Sequence, residues 1–139
     1  MNKLKASKHF KVRFSEVDSM KVVWHGSYPL YLEDAREHFG LEYGLGYNDY
    51  ISHNVYAPLV EMNIKYKRPL LYGMNARVDI IYHPTESAKV VFDYEIYNDE
   101  DGTLIAIAHT VQVFMDLDYQ LILQNPEFYE EWKKHWNVL

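Results

Sequence analysis

Four strand-like runs follow one another between Leu59 and Met115, and only one long helical segment precedes them. That order constrains the fold more than any other feature of the chain. Leu59 to Arg68 alternates Val60, Met62, Ile64 and Tyr66 against Glu61, Asn63, Lys65 and Lys67, the period of two that a half-buried strand requires. Ala76 to His83 comes next, closed by Pro84, and Lys89 to Asn98 sets Val90, Phe92, Tyr94 and Ile96 against Asp93 and Glu95. Asp99-Glu100-Asp101-Gly102 reads as a hairpin turn, with Gly supplying the positive φ. Leu104 to Met115 is apolar at nearly every position and is expected to be a last strand buried on both faces.

Upstream, His9 to Phe14 alternates and is expected to be the first strand. The helix is expected to start near Ser27 as N-cap, with Pro29 in the first turn, where its missing N–H leaves no bond unmade. Tyr28, Tyr31, Leu32, Ala35, Phe39 and Tyr43 fall on one face at spacings of three and four. Gly40 weakens the middle by about 1 kcal/mol relative to Ala, and Gly44 and Gly46 end the helix. Tyr47 to Ser52 adds a short helical turn. A terminal helix is expected from Asn125-Pro126-Glu127, with Phe128, Trp132 and Trp136 along one side packing on the body. The result is a single α+β domain over residues 1–139, one long helix against a five-stranded antiparallel sheet, with a C-terminal helix.

Composition removes several functions. The 139 residues carry a formal charge of −6 with no basic run longer than two residues, so the basic stripe of a nucleic-acid binder is missing. With no cysteine, thiol nucleophiles, disulfides and zinc–thiolate sites are excluded. The longest apolar run, Leu104 to Ala108, is too short to span a bilayer, and the N-terminus lacks the apolar core of a signal peptide. A cytoplasmic protein is the default expectation. The histidines form no ligand set, and Asp99 to Gly102 lacks the downstream Glu of a calcium loop.

Chemistry concentrates between Phe14 and Arg36. Asp18 sits in a short loop after the first strand, and His25 stands seven residues later at the threshold of the helix. A carboxylate and an imidazole beside the positive end of a helix suit acyl transfer: the carboxylate attacks or activates water, and first-turn N–H groups hold the oxyanion. On the residues alone, Asp18 reads better as a loop aspartate capping a turn, and His25 as a hydrogen-bonded structural histidine. Tyr28 packs at the start of the helix or contacts substrate. Glu61 is a surface acid or a second carboxylate near a neighbouring subunit's cleft. Tyr66-Lys67-Arg68-Pro69 offers a ring and two cations suited to adenine and phosphates, or an edge strand guarded by charge.

The run Asp18, Val22-Val23-Trp24-His25, Tyr28, Tyr31, Glu33 and Ala35-Arg36-Glu37 resembles the hotdog-fold thioesterases of the 4-hydroxybenzoyl-CoA thioesterase family. The likeness continues at Val60-Glu61, Tyr66 to Pro69, and His109 to Phe114, so it spans nearly the whole chain. It implies an acyl-CoA thioesterase of the hotdog fold, a hydrolase that releases a free acid and CoA with no metal or other cofactor. Asp18 would be nucleophile or general base and His25 would assist. The backbone around Trp24, His25 and Gly26 would bind the oxyanion, and Tyr28, Tyr66, Lys67, Arg68 and Glu61 would lie near substrate. It also implies a homodimer or homotetramer with active sites where two sheets meet. Two positions depart from the family: Phe14 stands where many relatives have Tyr, and Lys21 where Gly is usual. The alternatives are a thioesterase acting on acyl carrier protein, entered past Lys21, Lys65, Lys67 and Arg68, and a non-catalytic module that binds acyl thioesters. A hotdog dehydratase fits less well, because its His and acid occupy a different helix context.

Overall fold

The computed structural model describes residues 3–139. Strand β1 (Lys5–Lys11) is followed by a 3-10 turn at Phe14–Glu16 and another at His25–Ser27, which leads directly into α1 (Tyr28–Tyr43). Then come α2 (Tyr47–Ser52), β2 (Val55–Tyr56), β3 (Leu59–Tyr66), β4 (Asn75–His83), β5 (Lys89–Asn98), β6 (Leu104–Asp116), β7 (Leu121–Ile122) and α3 (Glu127–Trp136). The five long strands form an antiparallel sheet in the order β1-β4-β5-β6-β3, and the two-residue β2 and β7 pair with the far end of β6. This is the expected long helix against five strands, with two short strands added. The sheet wraps α1 in the hotdog arrangement.

The apolar stripe of α1 is the core. Tyr28, Tyr31, Leu32, Ala35 and Phe39 are all buried, against Val78, Ile80, Tyr82, Phe92, Tyr94 and Ile96 of the concave sheet face. Tyr43 is half-buried at the end of the stripe. On β6 the concave positions Ala106, Ala108, Thr110 and Phe114 are buried, Ile105 joins the core where the pairing to β5 is irregular, and on the outer face Val111 is buried while Ile107 and Val113 are half-covered. The continuous apolar run therefore matches a strand with little exposure on either side.

Three boundaries differ from the sequence reading, each for a local reason. The first strand spans Lys5–Lys11 and stops before Phe14, because the Glu16 carboxylate accepts the Arg13 N–H at 2.8 Å and curls the chain into a 3-10 turn. Phe14 is left 74% exposed, edge-on to Tyr72. Ser27 does precede α1, but its hydroxyl donates to the Glu16 carbonyl at 3.1 Å and caps no helical N–H. Asn125 likewise does not cap α3; its side-chain amide donates to Glu130 Oε1 at 2.6 Å.

Gly40 has a role beyond helix propensity. A Cβ there would lie 2.4 Å from the Gly46 Cα and 2.6 Å from its nitrogen, so α1 and the start of α2 approach closely only because residue 40 is glycine. The helix then closes at Gly44 (φ 77°), where Gly44 and Leu45 N–H both donate to the Gly40 carbonyl, the left-handed stop that glycine permits. The carbonyl of Tyr43, orphaned at the helix end, accepts the indole N–H of both Trp132 (2.7 Å) and Trp136 (2.9 Å). Helix α3 thus packs on the body with its tryptophan stripe, as expected.

Candidate active site

The loop between β1 and α1 is a small antiparallel finger, pinned by bridges between Val17 and Val23 and between Val22 and Leu71. At its tip Asp18 N–H donates to the Val22 carbonyl at 2.9 Å, and Lys21 N–H donates to the Asp18 carbonyl at 2.9 Å. Oδ1 of Asp18 accepts the N–H of Met20 at 2.8 Å and of Val22 at 3.4 Å, so one carboxylate oxygen builds the turn. Among the described residues Oδ2 has no hydrogen-bond partner. Lys21 adopts φ 64°, the left-handed conformation that costs an L-residue roughly 1–2 kcal/mol.

Glu16, which the sequence reading passed over, anchors this loop to the helix. Its buried carboxylate accepts from Arg13 N–H, from Arg13 Nε at 3.3 Å and from the Tyr31 hydroxyl at 3.1 Å. Its backbone carbonyl accepts from Trp24 N–H at 3.0 Å and from the Ser27 hydroxyl. Burial, then the Glu16 carboxylate, push the Tyr31 phenol far above its usual range, so Tyr31 stays a donor. No local pattern marks Glu16, because its partners are a backbone N–H on one side and a tyrosine fifteen residues away on the other.

The Trp24–Glu16 bond commits the Trp24 N–H, and Ser27 N–H donates to the Trp24 carbonyl at 2.9 Å. The N–H groups of His25 and Gly26 between them have no acceptor among the described residues, as expected at the start of a helix. The indole of Trp24 lies over Gly26, where a Cβ would come within 2.0 Å of the ring.

Four of the expected site residues meet His25 in a cleft of about 320 Å³: Tyr28, Tyr66, Lys67 and Arg68, backed by Val22 and Val23. The rings of Tyr28 and Tyr66 meet edge to face, 4.8 Å apart. Burial pushes the Tyr28 phenol up to about 12, with Tyr66 adding to the shift and the Leu70 backbone opposing it, so it is a neutral donor at ordinary pH. Lys67 and Arg68 are exposed, and both backbone N–H groups donate to the Ile105 carbonyl, at 2.8 and 3.0 Å. Their side chains have no ion pair among the described residues, which leaves two cations at the mouth.

Three other residues lie elsewhere. Asp18 sits in the finger beside the cleft and does not line it. Glu61 and Lys65 project from the opposite face of β3, because they share a parity that Tyr66 does not. There Glu61 Oε2 is 3.7 Å from His109 Nε2, whose Nδ1 is 2.7 Å from Asp93 Oδ1. The basic cluster expected of Lys65, Lys67 and Arg68 is therefore split, with only the last two at the cleft.

Residues 12–134 match the model of the thioesterase-like superfamily. The chain belongs to that superfamily. It is thus one of the thioester hydrolases. YneP of Bacillus subtilis, assigned as an acyl-CoA thioesterase, is 31% identical over 127 residues, covering 91% of each chain. The 1,4-dihydroxy-2-naphthoyl-CoA hydrolase of Thermosynechococcus vestitus is 25% identical over 124 residues, covering 88% of this chain and 84% of the relative. Among solved structures, the DHNA-CoA thioesterase from Staphylococcus aureus superposes with a TM-score of 0.83 at 25% identity, over 94% of this chain and 90% of that one. Among the described residues no helix is long and apolar enough to cross a membrane.

Proposed function

We propose that the protein hydrolyses acyl-CoA thioesters to a free acid and CoA at the His25–Arg68 cleft. The observation that carries this reading is the pair of uncommitted N–H groups on His25 and Gly26, at the start of α1 and beside two unpaired cations. A thioester carbonyl against those donors would have its developing oxyanion stabilised in place, an effect of about 10²–10³ in rate per donor. Asp18, through its free Oδ2, acts as nucleophile or as base for water, and the His25 ring orients water or substrate. Lys67 and Arg68 receive CoA phosphates, with Tyr66 alongside. No metal or other cofactor enters, because the thioester is already activated and the barrier is chiefly charge development on oxygen.

The reading includes a second copy of the chain. Strand β3 pairs only with β6 among the described residues, and its side chains Val60 and Met62 are 60% and 38% exposed. An open edge bearing apolar side chains is a pairing surface, and a partner there would close the side of the molecule on which the cleft opens.

The test is thiol release from CoA esters of short, medium, long and aromatic acids. Turnover of at least one ester is expected. A folded protein that releases no thiol from any of them contradicts the reading, and release from acyl carrier protein esters alone would move the substrate to the carrier.

A further inference from the structure

Charge is spread unevenly along the chain. Residues 1–21 hold six of its fourteen Lys and Arg but only two of its twenty acids, a surplus of four cations in a protein of net charge −6. Lys11 and Lys21 are exposed and have no ion pair among the described residues, and Arg13 pairs there only with Glu16. An asymmetry of this kind points to an anionic partner.

The same cations surround an apolar tip. Phe14 and Met20 are each 74% exposed, with Tyr72 at 52% and Leu71 at 45%. They form one surface. The Phe14 and Tyr72 rings meet edge-on at 5.7 Å, the Tyr72 N–H donates to the Lys21 carbonyl at 3.0 Å, and Leu71 bridges Val22 in the finger. Lys11 and Arg13 adjoin it on either side of Val12, whose carbonyl accepts the Gly73 N–H at 3.1 Å. Large apolar side chains grouped at such exposure mark a contact surface. The pairing edge of β3 does not account for them, because Phe14 follows β1, the strand at the opposite edge of the sheet.

Shape decides what fits. Ser15 beside Phe14 is exposed, as are Ser19, Met20 and Lys21 at the tip of the finger, so the apolar groups stand on a protrusion. A protein partner would need a matching hollow, whereas the interface of a bilayer opens around any short apolar tip. Rings and a thioether enter at the headgroup level while Lys and Arg meet the anionic headgroups.

We infer that the finger docks the protein on anionic bilayer surfaces, with Phe14, Met20 and Tyr72 at the headgroup boundary and Lys11, Arg13 and Lys21 on lipid phosphates. Each cation near such a surface is worth about fivefold in partitioning, so binding follows lipid charge. Val22 lines the cleft and bridges Leu71, so docking holds the mouth of the cleft at the surface where long-chain amphiphiles collect. The inference does not depend on hydrolysis in that cleft, because vesicle binding is read without turnover.

Co-sedimentation tests it, with vesicles of phosphatidylcholine alone and of phosphatidylcholine mixed with phosphatidylglycerol. Binding to the mixed vesicles is expected to be at least about 10-fold tighter than to the neutral ones, and to be lost in molar salt. Phe14→Ser should weaken it about 10-fold, and Lys11→Glu, which reverses one charge, should weaken it by at least about fivefold. Lys134→Glu makes the same change on α3, which packs at the Tyr43 end of α1 away from the finger, and should alter binding by less than about twofold. All three positions are exposed, so thermal unfolding should show every variant folded. No binding to the mixed vesicles at low salt overturns the inference. So does binding unmoved by both Phe14→Ser and Lys11→Glu, or weakened equally by Lys134→Glu. Capture of an acidic acyl carrier protein in place of vesicles would also overturn it, and would assign the surface to a protein partner.

Discussion

Lys21 and Glu16 illustrate how single residues shape the finger that carries Asp18. At φ 64° Lys21 occupies a conformation that glycine adopts freely. Lys21→Gly should therefore leave stability unchanged or raise it by up to about 1 kcal/mol, whereas a β-branched Lys21→Val should lower it by about 1–2 kcal/mol. Urea unfolding of the two variants reads this directly. Glu16→Ala would strip acceptors from the buried Tyr31 hydroxyl and from Arg13 N–H, a loss of about 2 kcal/mol. It should also slow thiol release, because the carbonyl that holds Trp24 and Ser27 sits on the same residue. Full stability in that variant would contradict the anchoring role. Asp18 and His25 were legible in the sequence as types at a spacing. Glu16 was not, since only the folded chain brings Tyr31 over it. The split of Lys65 from Lys67 was not, because the strand period sets both on one face and only the end of β3 at Tyr66 separates them.

Elements were legible where the pattern was long. The buried stripe of α1 and the alternation of β3, β4 and β5 follow from periodicity, because burial acts on every repeat. Ends were not, because one side chain decides them: Glu16 halts β1, and Asn125 bonds the Glu130 side chain instead of capping an N–H of α3. Gly40 read as a weak point in the helix, yet it is a contact that a helical pattern cannot announce, since its partner is the Gly46 backbone across a turn. Gly40→Ala should accordingly destabilise by more than about 2 kcal/mol, although alanine has the higher helix propensity. A thermal midpoint equal to or above the parent's would show that the α1–α2 corner can give way.

At the scale of the molecule, the cleft is lined by Tyr66 at the end of the unpaired edge strand β3, and an assembly through that edge would bring a second copy beside it. Light scattering should return a multiple of the 16.6 kDa chain mass. Met62→Glu, which sets a charge on the edge strand, should shift the population toward monomer and lower turnover with it. A parent protein that is monomeric and fully active would remove the second copy from the account. The overall architecture was readable because one helix followed by four consecutive strands admits few layer arrangements.

The central claim is hydrolysis of an acyl-CoA that depends on Asp18, and Asp18→Asn tests it cleanly. Asparagine keeps the Oδ1 acceptor that holds Met20 and Val22 N–H, so the finger should survive while the charge is lost. Measured side by side on the best ester, with thermal unfolding confirming an unchanged fold, the account predicts a fall in kcat of about 10³ or more. Turnover within a factor of a few of the parent would contradict it and place the chemistry on another group.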